Sequence, residues 1–185
     1  MKTLYLDCGM GAAGDMLAAA LLELLPDPDA FVRELNGLNL PGVAIAREPA
    51  VKCGITGTHF SVKVNGVEEE SHDHSHGHPH DHSHGHEHGH AHDHNHSGHD
   101  HEHHHDHHHS SLHDIEHIVR DHLRLPENVQ TDVLAVYGLI AEAESHAHGV
   151  PVTEIHFHEV GTLDAVADIT AVCLLLDRLA PEEIV

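Results

Sequence analysis

Residues 4–25 read LYLDCGMGAAGDMLAAALLELL. A short apolar run, Leu4 to Leu6, leads into a glycine loop and then into a helix-forming run that Pro26 stops. This is a strand, a tight turn and a helix, the opening unit of an α/β domain. Gly9, Gly11 and Gly14 spell G-x-G-x-x-G, the order that holds a dinucleotide pyrophosphate at a helix N-terminus. The flanking charges oppose that use. Asp7 precedes the glycines and Asp15 follows them, and two carboxylates repel a diphosphate unless a cation intervenes. The acidic residue that should end a second strand about 20 residues on is also missing. The stretch Pro28 to Leu38 reads as helix instead. No G-x-x-x-x-G-K-[ST] occurs, which excludes a P-loop GTPase. What remains is a turn with Asp7, Cys8 and Asp15 at its rim, Asp15 alternatively serving as a first-turn helix charge.

Working outward, residues 3–8 predict a first strand and Gly14–Leu25 a first helix. Asp27 or Asp29 caps a second helix through Leu38. The segment from Val43 to Gly66 predicts two or three strands, with Asn65-Gly66 as a turn pair. Ser111 starts a helix carrying Ile115, Ile118, Val119 and Leu123, and Pro126 ends it. A long helix spans Glu127 to Ala147. The short run TEIHFHEV, residues 153–160, alternates. Thr162 caps a last helix, Leu163 to Leu179, and Ile184–Val185 begin a strand. The expected fold class is α/β (α+β): a small β-sheet packed with about five helices and interrupted by a disordered His-rich insert. Residues 1–70 and 111–185 form two halves of one domain around the insert, 71–110. With no Trp and few aromatics, the core must come from Leu, Val, Ile and Ala.

Of the 185 residues, 29 are His, and nearly all of that excess lies between His72 and His109. That tract has no Leu, Ile, Val or aromatic residue, so burial cannot offset its ordering entropy. The formal net charge of −23 disfavours nucleic acid and anionic membranes as partners. Three scattered cysteines indicate neither a disulfide framework nor a Cys-rich zinc site. The start lacks a signal-peptide layout and no run is long enough to span a membrane, so a soluble cytoplasmic protein is expected.

Two segments carry metal chemistry. In the tract, His72, His74, His76, His78, His80, His82, His84 and His86 alternate with small and acidic residues. Such imidazoles bind nickel, zinc, copper or cobalt interchangeably, as a store or as an incidental property of a low-complexity expansion. The second segment is more specific. If residues 155–160 are extended, His156 and His158 share one side and can chelate one ion, with Ile155, Phe157 and Glu159 opposite. His146, His148, Glu144 and Glu154 add donors nearby. Asp164 and Asp168 lie four apart on the next helix. The bland alternative is a solvated strand followed by a helix-capping Asp.

In order, LDCGMGAAGDMLAAALLEL, GITGTHFSVKV, a His-rich insert and EIHFHEVGTLDAVADI resemble the LarC family of nickel insertion proteins. Asp7, Cys8, Gly11, Gly14, Asp15 and Met16 match the first family motif, and His156, His158, Glu159, Gly161, Asp164 and Asp168 the last. Gly9 falls outside the pattern. The resemblance implies insertion of Ni(II) into a pyridinium bis-thiocarboxylate mononucleotide. One carbon–nickel and two sulfur–nickel bonds form, giving the nickel-pincer cofactor of lactate racemase-type enzymes. It implies a lyase-type cyclometallase that consumes CTP with Mn(II) or Mg(II). Asp7, Cys8, Asp15, Glu159, Asp164 and Asp168 become the catalytic candidates, Gly11 and Gly14 the cofactor-binding ones, and His156, His158, His146 and His148 the metal ligands. Family members run to about twice this length. The CTP-binding C-terminal part is therefore expected elsewhere, in a longer chain or a C-terminal partner chain, and a homo-oligomer is compatible with the reading. The rival function is a non-catalytic His-rich nickel store or metallochaperone.

Overall fold

Polar residues placed just before apolar runs start most of the helices. In α2 (Pro28–Asn36) the Asp27 carboxylate accepts from the Ala30 N–H at 2.9 Å, and Pro28 has no N–H to lose. In α3 (Leu112–His117) Ser111 and Asp114 form a reciprocal capping box. In α5 (Leu163–Leu179) the Thr162 hydroxyl accepts from the Ala165 N–H. Pro126 precedes α4 (Glu127–His148), and Gly149 ends it with φ of 68°. Only α1 (Gly14–Leu22) among these five lacks both a local side-chain cap and a proline at its start. The structure, a computed structural model, describes residues 1–9, 11–68, 110–157 and 159–185.

The described strands form three small sheets. β2 (Val43–Lys52) and β3 (Ile55–Val64) make a ten-pair antiparallel hairpin, extended by β4 (Val67–Glu68). Cys53-Gly54 and Asn65-Gly66 both adopt positive φ, the two-residue turn geometry that matches strand twist. β1 (Thr3–Leu4) pairs in parallel with β7 (Glu183–Ile184), and β5 (Ser110–Ser111) pairs antiparallel with β6 (His156–Phe157). Helix α5 lies at the centre, against α1, α4 and the hairpin. Its Val166, Ala167, Ala171, Leu174 and Leu175 are buried with Leu21 and Leu22 of α1, Val133 and Tyr137 of α4, and Phe60 and Val62 of β3.

The architecture agrees with the α/β expectation, and the differences are local. The first strand is shorter than residues 3–8: its ladder covers Thr3–Leu4, the Leu6 N–H still bonds the Val185 carbonyl at 2.8 Å, and the chain then turns at Asp7, which accepts from the Gly9 N–H at 3.1 Å. Helix α1 ends at Leu22, not Leu25, in successive tight turns. Helix α2 ends at Asn36, whose side-chain amide exchanges two hydrogen bonds with the Ile45 backbone, at 2.8 and 2.9 Å, and ties the helix to β2. The helix begun at Ser111 widens at Ile118–His122 into a π-helical turn. Within the alternating run 155–160, His156–Phe157 are extended and Glu159–Gly161 curl into a 3₁₀ turn. Strict alternation of side chains therefore stops before Glu159. Apart from Ser110, residues of the His-rich insert, His72 to His86 included, lie outside the described residues. No described helix is long and apolar enough to cross a membrane.

Replacing Ser111 with Ala removes one half of the capping box. We expect a loss of about 1 kcal/mol, read as a lower urea midpoint with an unchanged slope.

Candidate functional site

Helix α1 finds its cap on α5. The Asp15 backbone N–H, in the first turn of α1, donates to the Asp168 carboxylate. Gly14 makes the approach possible, because a Cβ there would stand 2.8 Å from both Cβ and Oδ2 of Asp168. The anion position at the α1 N-terminus is thus filled by a side chain of the same domain. This is a structural reason against the dinucleotide reading, alongside the two flanking carboxylates.

Asp168 is only 9% exposed, and its Oδ1 has no hydrogen-bond partner among the described residues. Burial, then the nearby charges of Asp164 and Asp15, push its pKa up to about 7, against the lowering effect of the Asp15 N–H. Tyr137 of α4 lies in the same region. Its hydroxyl is buried and without a partner among the described residues. Burial, and secondarily the charge of Asp168, raise its pKa. The Tyr137 ring packs against Phe157 of β6, with centroids 5.7 Å apart. Tyr137 shares the buried face of α4 with Val129, Val133 and Ala141. A carboxyl group balanced near neutrality, with a free oxygen, can accept or release a proton at physiological pH.

Other expected site residues are spread more widely. Asp7 and Cys8 are exposed on the loop before α1, and Gly11 holds a φ of 85° as its N–H bonds the Cys8 carbonyl at 2.9 Å. His146 and His148 are exposed on the last turn of α4, where a spacing of two points them to different sides. His148 Nε2 lies 3.1 Å from Glu144 Oε2. His156 is exposed between the buried Ile155 and Phe157. His158 lies outside the described residues, and of Glu159 only the backbone is described. Among the described residues no three His, Cys, Asp or Glu side chains are gathered to hold a metal ion. A cavity of about 460 Å³ between α1, α2 and the hairpin, lined by Glu23, Asp29, Arg47, Thr56 and Thr58, holds none of the expected residues.

The family model for nickel insertion proteins matches residues 4–185. The chain belongs to the nickel insertion protein family. It is 34% identical, over 98% of its length, to the pyridinium-3,5-bisthiocarboxylic acid mononucleotide nickel insertion protein of Alkaliphilus metalliredigens, and covers 38% of that protein. The protein of the same name from Lactiplantibacillus plantarum is 36% identical over 97% of the chain, which covers 38% of it. For that of Acetivibrio thermocellus the identity is 35% over 100% of the chain, again covering 38%. The chain therefore spans well under half the length of these curated relatives. No solved structure matches it.

In this nickel insertion family member, Asp168 sets stability against charge. Its carboxyl is ordinarily ionised above about 3.8 in the unfolded chain but only above about 7 in the fold. The folded state thus holds the proton more tightly, and stability falls as pH rises between those values. Asp168→Asn keeps an acceptor for the Asp15 N–H and removes the buried charge. Its melting temperature should exceed the parent's, by a margin that widens from pH 4 to pH 8; a margin that stays flat or shrinks with pH contradicts the assignment. Gly14→Ala must push α1 off α5 and should destabilise by about 1–3 kcal/mol in urea unfolding.

Proposed function

We propose that this chain is part of an enzyme that inserts Ni(II) into pyridinium-3,5-bisthiocarboxylic acid mononucleotide, yielding the nickel-pincer cofactor of lactate racemase-type enzymes. The match to nickel insertion proteins along residues 4–185 carries the reading, with the printed substrate of the relatives naming the acceptor. In the insertion, a ring C–H bond breaks and its electron pair forms the carbon–nickel bond, so one proton must leave while nickel stays Ni(II). Asp168 is the acceptor best suited among the described carboxylates. It is buried, near neutral and has one unsatisfied oxygen beside Asp15 and Asp164. His156 and His158 are the proposed nickel donors, since imidazole suits Ni(II), with Glu159 next to them in sequence. Asp7 and Cys8 edge the same loop that Gly11 and Gly14 shape.

The loop that opens α1 does not suit CTP. The α1 N-terminus is already filled by a carboxylate, and Asp7 and Asp15 flank it. We assign CTP with Mn(II) or Mg(II) to the part of the longer relatives that this chain does not cover, in the same polypeptide or a partner, and read residues 1–70 and 111–185 as one domain interrupted by the insert.

In the intact enzyme, Asp168→Asn should lower cofactor formation by about 100-fold or more, as measured by mass spectrometry of the nucleotide product, while folding normally. Normal yield would remove Asp168 from the chemistry. A second reading, a nickel store, draws on the alternating imidazoles of residues 72–109. Deleting that tract should impair cells only when nickel is scarce if the chain is an enzyme. A defect that persists at ample nickel favours the store.

A further inference from the structure

The π-helical turn at Ile118–His122 assembles a group that plays no part in the proposed insertion site. Its signature bond runs from the Leu123 N–H to the Ile118 carbonyl, five residues back, at 3.1 Å. In a regular α-helix, five steps of about 100° would leave His122 roughly 140° around the barrel from His117. The wider turn swings it back. The His117 and His122 rings stack with centroids 5.0 Å apart and planes 20° from parallel. The His117 Nδ1 also lies 3.7 Å from Asp121 Oδ2. His117 is thus close to both the fourth and the fifth residue after it, which a regular helix would not allow. His117 and Asp121 are 55% and 66% exposed, and His122 is exposed as well.

A π turn is rare and recurs at functional sites. We propose that His117, His122 and Asp121 form a surface site for a borderline divalent transition-metal ion such as Ni(II), separate from the proposed insertion site and independent of the insertion chemistry. Two imidazoles sharing an ion at metal–nitrogen distances of about 2.0–2.1 Å hold their ring centroids roughly 4.5–5 Å apart. The observed separation already meets that condition. The three donors do not yet enclose an ion. The rings must tilt from stacked to convergent, a rotamer change open to exposed side chains and requiring no backbone shift. Asp121 supplies a third, anionic donor, and water completes the shell. Two imidazoles and a carboxylate suit nickel, zinc or copper over magnesium or calcium. His113, exposed on α3 one turn before His117, is in position to serve as a reserve donor.

The many other histidines would mask this site in a bulk titration, so the readout must be local. Hydrogen–deuterium exchange of the full 185-residue chain, followed in peptides covering residues 112–123, supplies it. Adding Ni(II) alone should slow exchange there by about threefold or more, because a cross-link between His117 and His122 holds the turn closed. His117→Ala, His117→Gln and His122→Ala should each abolish the slowing, whereas His146→Ala on α4 should leave it intact. All three side chains are exposed, so the four variants should fold. Unchanged exchange on adding Ni(II), or slowing that survives substitution at both 117 and 122, overturns the site and traces any effect to metal held elsewhere.

Discussion

Everything in this domain is arranged around the contact between the start of α1 and the middle of α5. Helix α5 is buried around most of its girth by α1, α4 and the hairpin. Such a helix would ordinarily be apolar on every side. Asp168 breaks that rule and is retained in the interior by one backbone N–H of α1 and by a glycine that lets the two helices meet. A buried carboxylate with one open oxygen is an expensive ornament for a scaffold. It makes sense where the group is asked to change its protonation state. The interaction that seats α1 is therefore also one that bears on the protonation of Asp168.

Much of the fold was legible because its punctuation is local. Asp27, Ser111 and Thr162 announce helices through their own side chains, Pro126 and Gly149 bracket α4, and Asn65-Gly66 announces a turn. Some misreadings come from local turns, such as those that end α1, and others from contacts set by the rest of the fold. Helix α2 stops early because Asn36 is recruited by Ile45, nine residues on. The run after Ile155 alternates in composition, yet Glu159–Gly161 turn away before α5. The π turn has no sequence mark of its own. It leaves Val119, Leu123 and Leu125 all buried, a demand set by the core they meet.

The site was legible in part. The motifs singled out Asp15, Asp164 and Asp168, and the structure brings their charges within mutual influence. Spacing alone made Asp164 and Asp168 a polar face. The clue to a buried Asp168 lay in its neighbours. The stretch from Ala165 to Leu176 is apolar on every side except at Asp168 and Thr170, so an acid within it has little solvent to reach. Tyr137 could not be found this way, because a tyrosine on an apolar helix face looks like ordinary core. The resemblance to nickel insertion proteins supplied what neither pattern nor packing gives, the substrate class proposed above.

The Tyr137 ring has a further consequence. Its hydroxyl feels the charge of Asp168, and the ring packs on Phe157, the residue next to His156. A single interior side chain is thus a shared wall for the carboxylate region and for the strand that carries a candidate donor. In a genetic screen, lesions at Tyr137 would sort with those of surface-facing functional residues, although nothing outside the protein can touch it.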